Sequence, residues 1–168
     1  MYGYNVRMTV RVPLANGRGF ALVDDADASV VLAYRWCILD RGPSKRVKHA
    51  RTRMGKRTTV LLHRFLMRAP DGVQVDHKNG NGLDCRRKNM RLASRAQNAM
   101  NRGVRSDSKT GLKGVTFLRK GGRKKKYIAS GWVGGKYHYI GQYRTALAAH
   151  RAYCTWAKKA HGAFFRAS

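Results

Sequence analysis

Glutamate is missing from this chain. All eight acidic residues among its 168 are aspartates, set against 36 lysines and arginines. Chemistry that needs a carboxylate must therefore draw on Asp24, Asp25, Asp27, Asp40, Asp71, Asp76, Asp84 or Asp107. The formal charge of +28 far exceeds what solubility requires and points to a polyanionic partner, nucleic acid first. No apolar run approaches membrane-spanning length and no leader pattern is visible, so a soluble intracellular protein is expected, with no membrane partner. Cysteine is scarce. Cys37, Cys85 and Cys154 stand far apart, without a CxxC pair or an even-numbered framework, and read as reduced thiols rather than disulfides or zinc ligands.

At this length the chain fits one domain or two small ones with modest cores. Residues 1–62 read as a β-rich region. Short runs at Phe20–Val23, Trp36–Leu39 and Thr58–Leu62 alternate with turns, and a helix over Asp24–Tyr34 carries aspartates in its first turn. Leu62–Met67 has the spacing of a short helix, ended by Pro70. Val73 and Val75 begin a strand that the Gly80-Asn81-Gly82 turn closes, and Asn89–Leu92 forms the return strand. Ser94 and Gln97 fit a capping box, so a helix starts there. The pattern from Val73 to about Arg102 is strand, loop, strand, helix, within a unit of residues 63–102. Residues 103–110 are polar and without periodicity, a linker. From 111 to 168 three strands and a helix follow: "KGVTFL", "KYIASGWVGG" and "KYHYIGQY", then a helix capped by Thr145 with Ala146, Ala149, Tyr153, Ala157 and Ala160 on one stripe. The fold class is α+β.

The stretch "VDHKNGNGLDCRRKNMRLASRAQN", Val75 to Asn98, carries the chemistry. Asp76 and His77 end a strand and Asn98 sits one turn into a helix packed across the hairpin, so the three side chains can converge. A carboxylate and an amide oxygen are hard ligands suited to Mg²⁺ (or Mn²⁺), and a neutral imidazole beside them can take a proton from an attacking water. An aspartate alone in so basic a chain would pair with a nearby cation. His63, on an apolar helix, reads as a packed residue, and His49, His138, His150 and His161 show no partner pattern.

These residues resemble the HNH nucleases with a ββα-metal fold, in particular the homing endonucleases of phages and bacterial mobile introns. The resemblance implies His77 as general base, Asn89 as the residue that fixes the loop and hence the base, and Asp76 and Asn98 as ligands of one divalent ion. Cys85 departs from the polar residue common at its position. The upstream "LHRFLM" is also similar, and Arg64 could there meet a phosphate. It further implies a bacterial or phage-infected cytoplasm.

Residues 111–168 resemble a second family, the sheet-plus-helix DNA-binding domains of plant ethylene-response factors (Apetala type), which lay their sheet in the major groove. DNA-facing positions would fall on Lys113, Thr116, Ser130, Trp132, Tyr137 and Tyr139, with Lys124, Lys125 and Lys126 as a phosphate clamp. Arginine dominates these positions in the plant pattern and is absent from them here, so no target sequence carries over. For Tyr137, packing against the helix is an equal reading. The expected function is a site-directed DNA endonuclease acting on duplex DNA without an organic cofactor, as a monomer that nicks or a dimer that cuts both strands. A non-catalytic DNA-binding regulator and a structural RNA-binding protein are the other classes the charge permits.

Overall fold

Val10 and Val12 alternate with Thr9 and Arg11, and this half-apolar pattern forms β1 (Thr9–Pro13), antiparallel to β2 (Phe20–Asp24). The computed structural model describes residues 8–17, 19–39, 48–55, 58–119 and 126–167. Within these, α1 (Asp25–Leu32) follows β2 directly, and a three-stranded antiparallel sheet is built from β3 (Cys37–Leu39), β4 (His49–Met54) and β5 (Thr58–Leu61). The short helix α2 (Leu62–Met67) leads to the hairpin β6 (Gln74–His77) and β7 (Met90–Ala93), and α3 (Arg95–Met100) follows. The expected capping box is present: Ser94 Oγ accepts from Gln97 N at 3.2 Å, and Gln97 Oε1 accepts from Ser94 N at 2.8 Å.

The chain is mixed α and β, with small sheets and few helices among the described residues, and divides into two compact units after Asn98, within α3. In the first unit a single core runs from Val12 to Met90 through Val23, Val31, Trp36, Ala50, Leu62, Leu66, Val75 and Cys85. The β-rich region and the β6–β7 hairpin therefore share one interior. Trp36, almost fully buried, satisfies its indole N–H on Val31 O at 2.8 Å.

In the second unit β8 (Val115–Phe117), β9 (Tyr127–Val133) and β10 (Lys136–Tyr143) form an antiparallel sheet, and α4 (Ala146–His161) packs on it through Ala149, Tyr153 and Ala157. Thr145 caps α4, its Oγ1 accepting from Ala148 N at 3.2 Å. Residues 103–110 belong to this unit, and Thr110 Oγ1 lies at hydrogen-bonding distance from Leu112 and Val115. No helix among the described residues is long and apolar enough to cross a membrane.

Tyr153 lies directly over Gly114, whose φ is +73°, so a methyl group there would overlap the ring. Gly111 shares the left-handed backbone, at φ +63°, but faces open space. Gly114→Ala should therefore cost roughly 2–5 kcal/mol, adding overpacking to backbone strain, whereas Gly111→Ala should cost only the strain, about 1–2 kcal/mol. Urea unfolding of the two variants side by side checks this. Equal losses would remove Tyr153 as the cause.

Candidate functional site

Four asparagines and aspartates hold the loop between β6 and β7. Asn89 Nδ2 donates to Asn79 Oδ1 at 3.0 Å and to Asp84 O at 2.8 Å, while Asn89 Oδ1 accepts from Asn79 N at 3.1 Å. Asn79 Nδ2 donates to Asp84 Oδ2, and Asn81 turns the backbone by accepting from Leu83 N. Arg86 grips Asp84 with two bonds of 2.7 Å, which hold its carboxyl below the usual range. The loop is braced from the amino-terminal side as well. β2 bonds to it through Leu22 N to Leu83 O and Cys85 N to Leu22 O, both 2.8 Å. Asp24 accepts from Arg87 N, and Asp27 takes the Arg87 guanidinium at 2.7 and 2.8 Å. Asp24 precedes α1 without capping it, its carboxylate turned to the loop instead.

Side chains alternate along β6, so Gln74 and Asp76 share one face and Val75 and His77 the other. On the first face Asp76 accepts from Arg91, its cross-strand partner, at 2.7 Å from Nε and 2.6 Å from the second guanidinium nitrogen. Asn98 Nδ2 reaches back from α3 to Gln74 Oε1 at 2.5 Å. Asp76 and Asn98 thus belong to one face of the hairpin, each with a protein partner.

His77 is buried on the other face, against two histidines from different elements. His49 opens β4 and His63 lies in α2. The ring centroids are 4.8 Å apart for His49 and His63, 5.1 Å for His63 and His77, and 5.7 Å for His49 and His77. One ligand atom from each lies within 4.8 Å of the others, a group that can hold a metal ion. Burial pushes His77 down to about 4, with His49 adding to the effect and the charges of Asp76 and Asp84 opposing it. Burial likewise takes His63 down to about 3. Both imidazoles are therefore neutral at physiological pH. Cys85 Sγ is 3.9 Å from His77 Nε2, and burial pushes its thiol up to about 12.

Residues 67–100 match the family model of the HNH endonucleases. No curated protein and no solved structure gives a significant match. The matched segment runs from the end of α2 through the hairpin and α3, and it supports an HNH nuclease module there, with nuclease chemistry and DNA as the substrate class.

Two expected DNA contacts are turned elsewhere. The Arg64 guanidinium donates to Val73 O at 2.6 Å and to Ala69 O and Pro70 O at 2.9 Å, tying α2 to the entry of β6. Lys113 Nζ donates to Met100 O at 2.7 Å and Arg166 O at 2.8 Å and sits over the Phe165 ring, where burial and the neighbouring Arg166 lower it to about 8. Both cations end on backbone carbonyls that their long stems reach. Thr116, Ser130, Trp132, Tyr137 and Tyr139 share the sheet face away from α4, as the register pairs Tyr137 with Trp132 and Tyr139 with Ser130. Trp132, Tyr137 and Tyr139 are 63, 53 and 59% exposed, so Tyr137 does not pack on the helix. Lys126 is exposed; Lys124, Lys125 and Asp40 lie outside the described residues. His49 and His63 joined His77 without any local signal, because their approach depends on the packing of β4 and α2.

Proposed function

We propose that the chain is a site-directed DNA endonuclease of the HNH homing type, in which a ββα-metal module formed by β6, β7 and α3 cuts a phosphodiester bond. The observation that carries this reading is the Asn89-locked loop between β6 and β7, inside the segment matched to the HNH endonucleases. His77, neutral and set where the loop leaves β6, takes the proton of the attacking water. Asp76 and Asn98 offer a carboxylate and an amide oxygen, a donor set that fits Mg²⁺ or Mn²⁺ once Arg91 yields its contact with Asp76; the Gln74 contact engages the Asn98 amide nitrogen, not its oxygen. Such an ion supplies charge stabilisation at the scissile phosphate and the leaving oxygen. Thr116, Ser130, Trp132, Tyr137 and Tyr139, with the lysines at 124–126, form the duplex-binding face of a domain like those of the ethylene-response factors. The aromatic rings stack on sugar and base edges or meet thymine methyl groups. A single site per chain cuts one strand, and the setting is the cytoplasm of a bacterium or a phage-infected cell.

A second reading, a non-catalytic DNA-binding regulator, draws on the Asp76–Arg91 ion pair, which neutralises the carboxylate without a metal. Supercoiled plasmid carrying candidate sites separates the two. With Mg²⁺ or Mn²⁺ the protein should convert it to the nicked form, and with chelator it should only bind. Tight binding without nicking under any divalent ion would establish the regulator, and a preference for folded RNA over duplex DNA would discard both.

A further inference from the structure

We propose that His49, His63 and His77 form a site for a borderline divalent cation such as Zn²⁺ or Co²⁺, distinct from the hard-cation ligands Asp76 and Asn98, and that its occupancy silences His77. The silencing half rests on the reading of His77 as general base; the binding half does not. Three separately placed elements of the first unit bring the rings together, β4, α2 and β6, all anchored in the same core. The rings are inclined at 59°, 87° and 45° to one another instead of stacking, so their nitrogens can point toward a common centre. Tetrahedral nitrogen ligands about 2.0–2.1 Å from zinc lie roughly 3.3–3.5 Å apart. The present spacing, within 4.8 Å, closes to that value by side-chain rotation of about an ångström.

The cluster carries a feature that ordinary packing does not explain. His63 is 6% exposed, and its Nδ1 is buried with no hydrogen-bond partner among the described residues. A polar nitrogen left so is destabilising unless something outside the protein satisfies it, and a cation does. The loop keeps the third ring in place: a Cβ on Gly82 would overlap Lys48 O and the His49 ring, so only glycine lets this backbone lie against His49. His49 is half-buried, the most accessible of the three rings.

The donor type decides the ion. Three imidazoles and no oxygen ligand suit zinc, cobalt or nickel and are poor ligands for Mg²⁺. The consequence for His77 follows from electron counting. A neutral imidazole has one basic lone pair; once that pair is donated to a cation, the other nitrogen carries its hydrogen, and neither can accept a proton from water. A chain that cuts with Mg²⁺ at Asp76 and Asn98 is then held inactive by zinc at the histidines.

The test begins on DNA-free protein. Co²⁺ titration should give the visible d–d bands of a nitrogen-ligated ion at one equivalent, Zn²⁺ should displace them, and excess Mg²⁺ should not. His49→Gln, at the accessible ring, should weaken Co²⁺ binding by more than about 100-fold, since even outer partners of metal ligands are worth 10–100-fold. Its circular dichroism should match the parent's, and His63→Gln should weaken binding alike. Absence of the bands, or equal affinity in the parent and His49→Gln, overturns the site. In the second arm one equivalent of Zn²⁺ should stop Mg²⁺-supported nicking, and His49→Gln should need about 100-fold more, relative to its own zinc-free rate, by the same loss of affinity. Co²⁺ binding with unimpeded nicking would leave the site standing and refute the silencing, and with it the role of His77 as base.

Discussion

His77→Ala should lower the rate of plasmid nicking by about 10²–10⁴-fold, the contribution usual for a general base, while the shift of duplex DNA on a gel persists. The two readouts separate because the proposed duplex-binding face belongs to the second unit and His77 to the first. His77 is buried, so its removal also leaves a cavity, and loss of activity alone would not distinguish chemistry from packing. Added imidazole does distinguish them. If the ring acts as a base, free imidazole entering the cavity should restore part of the rate in proportion to its unprotonated fraction, whereas a packing defect would be indifferent to pH. The parent's own profile should show the same chemistry: with His77 held down to about 4, the base is already unprotonated at pH 6, where an ordinary histidine would be losing activity. Wild-type nicking by His77→Ala would end the assignment.

Elements with a local signature are legible in the amino-acid sequence alone. Ser94 and Gln97 announced α3, Thr145 announced α4, and the alanine stripe foretold which face of α4 meets the sheet, because caps and 3.6-residue spacing act within a few residues. Boundaries were less exact: the return strand starts at Met90 because Asn89 is drawn into a 3-10 turn by its bonds to Asn79 and Asp84. β4 was not legible at all. Its inward residues are Ala50 and Thr52 and its outward ones Arg51 and Arg53, so the alternation of burial has no hydrophobic counterpart in the sequence. With β4 went His49, and with His49 the three-histidine cluster. Charge gave the chain's partner but not the direction of any one cation. Arg64 reads as a phosphate contact and Lys113 as a DNA-facing position in the sequence, yet both stems end on backbone carbonyls. The pairing of Asp76 with Arg91 follows from the register of β6 and β7. It explains how a buried carboxylate is tolerated in the hairpin, since removing such a partner leaves an uncompensated charge.

Acidification should unfold the first unit through its two buried histidines. His63 and His77 are lowered to about 3 and about 4, and the unfolded chain binds their protons near 6.5. The sign follows. Between those limits the unfolded state holds more protons than the folded one, so stability is full above about pH 6.5 and falls as pH drops toward 4, each histidine contributing about 1.4 kcal/mol per pH unit. Together the two amount to several kcal/mol, comparable with the 5–15 kcal/mol that holds a small domain folded. The Trp36 indole N–H, bonded to Val31 O inside this core, reports the event in proton–nitrogen spectra, and its signal should vanish between pH 6 and 4. His63→Phe, which removes the more strongly lowered ring and keeps an aromatic in the space, should carry folding to lower pH even if it costs stability at pH 7. An unchanged urea midpoint between pH 7 and pH 4.5 in the parent would mean that the imidazoles are solvated, and the cluster is then not the buried neutral group that the proposed role of His77 as base requires.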